Sequence, residues 1–184
     1  MPSKKPRFNA EERLKALQDI SVELMASKNP RDLLYLIVNK AVELLQCDAG
    51  TLYLRFDEDH LAFEVAVNRS VNVDFERSLV PAHGQGLAAY VFRSGEALRI
   101  ADVHDLPEGA PYSFDASFDE FLGYRTRSTL VQPLRSSKGA ALGVLQLMNR
   151  KKSASQRWPS EQPELLAKMP TFTPADQRLL ESFA

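Results

Sequence analysis

Between Phe118 and Leu134 the chain reads FDEFLGYRTRSTLVQPL. Asp119 and Glu120 precede a glycine, and Tyr124, Thr126 and Ser128 then alternate with Arg125 and Arg127 before an apolar run. Residues two apart in an extended strand share a face. Tyr124, Thr126, Ser128 and Leu130 are therefore expected on one side, and Arg125, Arg127, Thr129 and Val131 on the other. Hydroxyls both donate and accept, and a row of them grading into leucine makes a wall suited to a small organic ligand. The arginines have two readings. They tether the preceding loop by ion pairs to Asp115, Asp119 and Glu120, the commoner role of clustered charge, or one of them meets an anionic ligand.

A second place for ligand chemistry lies in HGQGLAAYVFRSG, residues 83–95. A helix starting near Gly86 and Leu87 would present free backbone N–H groups to an anion such as phosphate. Gly84 and Gly86 also suit a tight turn with no ligand at all. Phe118, beside Asp119, can stack on a planar ligand or anchor its loop to the core.

Other chemistries lack their parts. In DVHD, His104 sits between Asp102 and Asp105 with no second histidine near it, which is too few ligands for a metal site. His83 has no serine or cysteine partner for nucleophilic catalysis. The single cysteine, Cys47, excludes an internal disulfide and reads as a small packing residue. No catalytic residue and no metal site is assigned.

The elements that must position these groups follow from periodicity and caps. The chain has 184 residues and a formal net charge of −1, so it fits one domain and carries no basic excess for nucleic acid. Its basic N-terminus is followed by no apolar segment. No run approaches the ~18–20 apolar residues of a membrane span, and the expected location is cytoplasmic. Residues 1–8 read as a disordered tail and 9–184 as a single domain. A first helix starts at Asn9, with Leu14, Leu17, Ile20 and Leu24 on one stripe. A second runs from Asn29-Pro30 to about Gln46, with Leu33, Ile37, Ala41 and Leu44 or Leu45 on its buried face.

The period then becomes two. Leu52, Leu54 and Phe56 share a strand face, and Leu61, Phe63, Val65 and Val67 share a face of its hairpin partner. RSLVP and ALRIAD read as short strands flanking a short helix that Gly95 ends, and residues 103–123 as irregular. Strands near 125–134 and 140–149 follow. The second is apolar on both faces, and its Gly143 admits a close backbone approach. Thr173, Pro174 and Asp176 start a last helix that meets no stop signal, so it is expected to continue toward a further domain.

From about Glu11 to Ala184 these residues resemble a GAF domain, a regulatory module of signalling proteins. The resemblance rests on CDAGTLYL, GLAAYVFRSGEALRIADV and GYRTRSTLVQPLRSSKGAALGVLQLMNR, and on a spaced motif. Cyclic-nucleotide-responsive members carry Asn-Lys, then Phe, three residues, and Asp-Glu; this chain has Asn149-Arg150, Phe172 and Asp176-Gln177. The segments are most similar to GAF domains of bacterial second-messenger proteins, such as HD-GYP phosphodiesterases and nucleotide cyclases. The resemblance implies an α+β fold with a six-stranded antiparallel sheet. The first, second and last helices would cover one face and support a homodimer, and a short helix and loops would cover the other. It implies a non-catalytic sensor whose small-molecule effector, a cyclic nucleotide among the expected ligands, meets Gly86, Leu87, Phe118, Asp119, Tyr124, Thr126 and Ser128. Asn149, Arg150, Phe172, Asp176 and Gln177 would form a structural clasp, with Arg150 bridging Asp176. A dimerisation scaffold with no ligand is the alternative.

Overall fold

The computed structural model describes residues 29–73 and 76–182. The expected tail and first helix lie outside these residues. Within them the fold is a six-stranded antiparallel sheet in the order β3-β2-β1-β6-β5-β4. The strands are β1 (Cys47–Arg55), β2 (His60–Asn68), β3 (Ser78–Pro81), β4 (Leu98–Ile100), β5 (Thr129–Arg135) and β6 (Ala141–Arg150).

The long helix α1 (Pro30–Leu44) begins where its signals place it. Asn29 Oδ1 accepts from the Arg31 N–H at 3.0 Å, and Pro30 occupies the first turn. Its deepest positions are Val38, Ala41 and Val42, with Leu45 just past its end; Ala41 and Leu45 keep the expected stripe, but its first half rotates toward Val38, leaving Leu33 and Ile37 only half-buried. Gly50 of β1 explains the rotation. A Cβ there would lie 2.8 Å from Val42 and 3.0 Å from Val38, so the missing side chain lets these two valines seat directly on the sheet. Leu52, Leu130, Leu145 and Leu147 complete this core together with Phe172 and Leu180. Leu180 belongs to the C-terminal helix α5 (Pro174–Glu181).

The opposite face is covered by α2 (Leu87–Ser94), whose Leu87, Ala88 and Val91 pack on Ile100, Val131 and Val144. Gly95 ends α2 at φ 68°, a left-handed conformation that glycine adopts without strain. One short helix, α3 (Ser117–Leu122), lies in the segment expected to be irregular, and another, α4 (Pro163–Leu166), lies between β6 and α5. At Gly143 an added Cβ would collide with the Tyr53 carbonyl oxygen, so β1 and β6 approach there as closely as a glycine allows.

Two strand expectations need correction. A bulge between Leu52 and Tyr53 shifts the β1–β2 register, so Val65 pairs with Leu52 but Phe63 pairs with Tyr53. Phe63 thereby leaves the face it was expected to share with Val65 and stacks 5.2 Å from the Tyr53 ring. The strand expected from residue 125 begins only at Thr129. Before it, the side chain of Asn149 stands in for a neighbouring strand. Its Oδ1 accepts from the Arg127 N–H at 2.7 Å and its Nδ2 donates to the Arg125 carbonyl at 3.0 Å. Asn149 is fully buried at φ 64°, a conformation asparagine tolerates better than most residues.

Candidate functional site

A cavity of about 600 Å³ lies between the sheet, the start of α2, and the segment that includes α3. Its floor follows from the register. Ala49, Thr51 and Tyr53 of β1 alternate with Gly50 and Leu52, which face α1. Across the ladder Thr51 pairs with Gln146, and Ala49 with Met148. Phe63 and Val80 contribute from β2 and β3, Leu87 and Ala88 from α2, and Phe118 and Leu122 from α3.

Six of the seven expected ligand residues line this cavity: Gly86, Leu87, Phe118, Asp119, Tyr124 and Thr126. Ser128 does not. It is 1% exposed, and its Oγ accepts from the Arg150 N–H at 3.2 Å. The reason is the late start of β5, which breaks the simple alternation. Tyr124 and Thr126 face the cavity, but Leu130 belongs to the α1-side core.

The hydroxyls expected at the rim have partners within the protein. Tyr124 donates to Asp48 Oδ2 at 3.0 Å and accepts from Asn149 Nδ2 at 2.8 Å. Burial and then the Asp48 charge push its phenol well above the usual range. Thr126 donates through its N–H and Oγ1 to Asp119 at 2.5 and 3.0 Å. Burial raises the Asp119 pKa, and the two hydrogen bonds from Thr126 oppose that shift. These contacts fix α3 to the strand, so Asp119 positions the cavity wall. Phe118 meets the Phe63 ring edge-on at 6.0 Å, which suits the expected anchor, and it is 41% exposed beside the cavity.

The arginines of the opening stretch do not pair with the expected carboxylates. Arg127 Nε lies 3.4 Å from Asp102, and its Nη1 donates to the Met169 carbonyl at 2.9 Å. Arg125 is exposed, and neither arginine lines the cavity. His104 Nε2 donates to the Thr126 carbonyl oxygen at 3.0 Å, and among the described residues no cluster of potential metal ligands occurs. Burial pushes the Cys47 thiol up to about 12, far from the range of a reactive thiolate.

The spaced motif closes the other end of the sheet. Arg150 Nε lies 3.5 Å from Asp176 Oδ2, and its Nη1 donates to the Lys151 carbonyl at 2.8 Å. Asp176 also closes a reciprocal cap with Thr173 at the start of α5. Phe172 is buried, and Gln177 donates to Glu181 on its own helix at 3.1 Å.

Four residues bearing on the site were not singled out from the sequence. Asp48 and Lys151 form a buried ion pair at 3.0 Å, with Ser70 and Tyr124 also donating to Asp48. Thr51 and Gln146, each 7% exposed, face each other across the cavity floor. Thr51 Oγ1 is buried with no hydrogen-bond partner, and the Gln146 amide makes none among the described residues. Thr51 influences the nearby Tyr53 phenol, whose pKa burial raises, but the two hydroxyls do not close a hydrogen bond. Gln132, whose Oε1 is likewise unpartnered, lies in a separate groove beside Gln177 and Glu181.

Comparison with known proteins fits this architecture. The family model described as GAF domain matches residues 29–184. The chain is 28% identical over 137 residues to the dual 3',5'-cyclic-AMP and -GMP phosphodiesterase 11 of Drosophila melanogaster. That match covers 74% of the chain but 8% of the phosphodiesterase, so the chain spans a small part of this relative. The fold matches the GAF domain of a phosphoenolpyruvate-protein phosphotransferase from Coxiella burnetii with a TM-score of 0.66 at 21% identity, covering 95% of this chain and 89% of that one. It also matches a free methionine-R-sulfoxide reductase from Neisseria meningitidis, solved in complex with its substrate, with a TM-score of 0.57 at 18% identity over 99% and 95% of the two chains.

Proposed function

The chain belongs to the GAF domain family, whose members are regulatory modules, and on that premise we propose that it is a sensor that binds a small molecule in the cavity beneath α2 and α3. The observation that carries this reading is the pair Thr51 and Gln146. Buried polar groups are almost always hydrogen-bonded, because an unpaired one costs about 1–3 kcal/mol. Here the Thr51 hydroxyl lies buried on a cavity floor without a partner, beside a Gln146 amide that makes no hydrogen bond among the described residues, and a bound ligand would supply both. The similarity to a cyclic-nucleotide phosphodiesterase makes cyclic nucleotides the first ligands to examine.

A ligand switches the domain only if it prefers one of its states. The segment of α3 is the candidate moving part: it forms one cavity wall and is held by Asp119 and Thr126, while Phe121 on it is 81% exposed. In this reading two copies associate through their terminal helices, and α5 passes the change to an output domain. The scaffold alternative called for a cavity filled by side chains; an open space of about 600 Å³ favours the sensor instead.

The test is thermal unfolding of the purified chain against a small-molecule panel that includes cAMP and cGMP. A ligand at ~100 times its Kd adds about 2.7 kcal/mol, a shift of roughly 5–10 °C for a domain of this size. A shift with one panel member supports the reading. A panel that leaves the midpoint unmoved throughout, with protein shown to carry nothing from purification, sinks it.

A further inference from the structure

The charges around the cavity narrow the ligand class. Glu76, Asp115 and Asp119 all line it, and among the described residues no lysine, arginine or histidine does. Asp115 accepts from the Ser117 N–H at 2.9 Å, which holds its carboxyl below the usual range and keeps it ionised at neutral pH. An electropositive feature at the cavity is the start of α2, where Gly86 provides no side-chain cap. A helix terminus amounts to about half an elementary charge, against the exposed carboxyl groups of Glu76 and Asp115 at the cavity margin. An anion entering this space would meet net repulsion.

The remaining lining says what is favoured. Tyr53, Phe63, Phe114 and Phe118 supply aromatic walls, and Val80 and Leu87 aliphatic ones. On the floor, the Gln146 amide offers a carbonyl acceptor and two N–H donors side by side, and Thr51 adds a hydroxyl in register with it. A primary amide pairs in bidentate fashion with a planar edge carrying a donor next to an acceptor, as glutamine does with adenine.

We propose that Thr51 and Gln146 read the donor–acceptor edge of an uncharged planar heterocycle, and that the cavity selects this heterocycle over its phosphorylated forms. This rests on the sensor reading and specifies its ligand. The walls sandwich the ring, the floor pair fixes its orientation, and the carboxylates at the margin exclude the nucleotide anion.

The experiment is isothermal titration of the purified protein with adenosine and guanosine, each beside its own 3',5'-cyclic monophosphate. The heterocycle is identical within each pair and only the phosphate differs. At least one nucleoside should bind at least about tenfold more tightly than its cyclic monophosphate. Gln146→Leu should weaken that nucleoside by about tenfold or more, with Thr51→Val acting in the same direction, while the thermal midpoint of each free variant stays at or above the parent value. Replacing Glu76 and Asp115 by glutamine and asparagine should narrow the gap between nucleoside and nucleotide.

Three results overturn the proposal. One is equal or tighter binding of the cyclic monophosphate. Another is nucleoside binding indifferent to both floor substitutions. The third is silence from both nucleosides up to millimolar concentration. If both are silent while a different panel compound shifts the unfolding midpoint, the heterocycle assignment fails and the sensor reading stands. If the panel is silent as well, both fail.

Discussion

Strands β1 and β6 each bury two polar side chains three residues apart: Asp48 and Thr51 on one, Gln146 and Asn149 on the other. At the strand ends the polar groups are saturated. Asp48 takes Lys151, Ser70 and Tyr124, and Asn149 uses its carbonyl and both amide hydrogens. In mid-strand, Thr51 and Gln146 have no partner among the described residues. The same strands and nearly the same burial thus give opposite hydrogen-bond outcomes. Saturation marks polar groups that hold the fold; in the proposed reading, the open pair on the cavity floor is left for a ligand.

This contrast should appear first as a difference in stability. Asp48→Ala leaves the Lys151 ammonium buried without its carboxylate, and the expected loss is about 3–5 kcal/mol by urea unfolding. A loss under 1 kcal/mol would remove the distinction between the two pairs. Gly143→Ala sharpens the comparison from the backbone side, because it forces β1 and β6 apart at the Leu54–Gly143 pair, beyond Thr51 and Gln146. Its added methyl strikes the Tyr53 carbonyl, and about 1–3 kcal/mol should be lost. Thr51→Val, which removes only an unpartnered hydroxyl, should change stability by less than about 1 kcal/mol in the same assay.

Asp119 gives a smaller, pH-dependent signature. Its folded pKa is raised above that of the unfolded chain, so the folded state holds the extra proton in the window just above about pH 4. Stability from this group is complete below the unfolded pKa and declines as pH rises through the folded one. Asp119→Asn should flatten that slope in a pH series of melting curves. An unchanged slope would assign it to other carboxylates.

Much of the scaffold was legible because its signals are local. Asn29-Pro30 and Thr173-Pro174 start helices, Gly95 ends one, and a run apolar on both faces marks β6. What was not legible depends on partners distant in sequence. Nothing near Asp48 announces Lys151, 103 residues away. The late start of β5 follows from Asn149, which bonds the 125–127 backbone from more than twenty residues downstream. The bulge that turns Phe63 toward the cavity exists only in the pairing of β1 with β2. The site suffered most from this. Tyr124 and Thr126 do line the cavity, but their hydroxyls are occupied. Thr51 and Gln146 look in the sequence like ordinary polar positions of a strand; only the register sets them side by side on the floor.

The most direct test is equilibrium unfolding of Asn149→Ala beside Gln146→Ala. Asn149→Ala should lose on the order of 2–4 kcal/mol, of which about 1–2 reflects alanine at positive φ and the rest the buried groups left unpaired. Gln146→Ala should lose less than about 1 kcal/mol, since the amide it removes stabilises nothing in the free protein. Equal losses at the two positions would show that Gln146 holds the fold as Asn149 does, and would contradict the assignment of the cavity floor to a ligand.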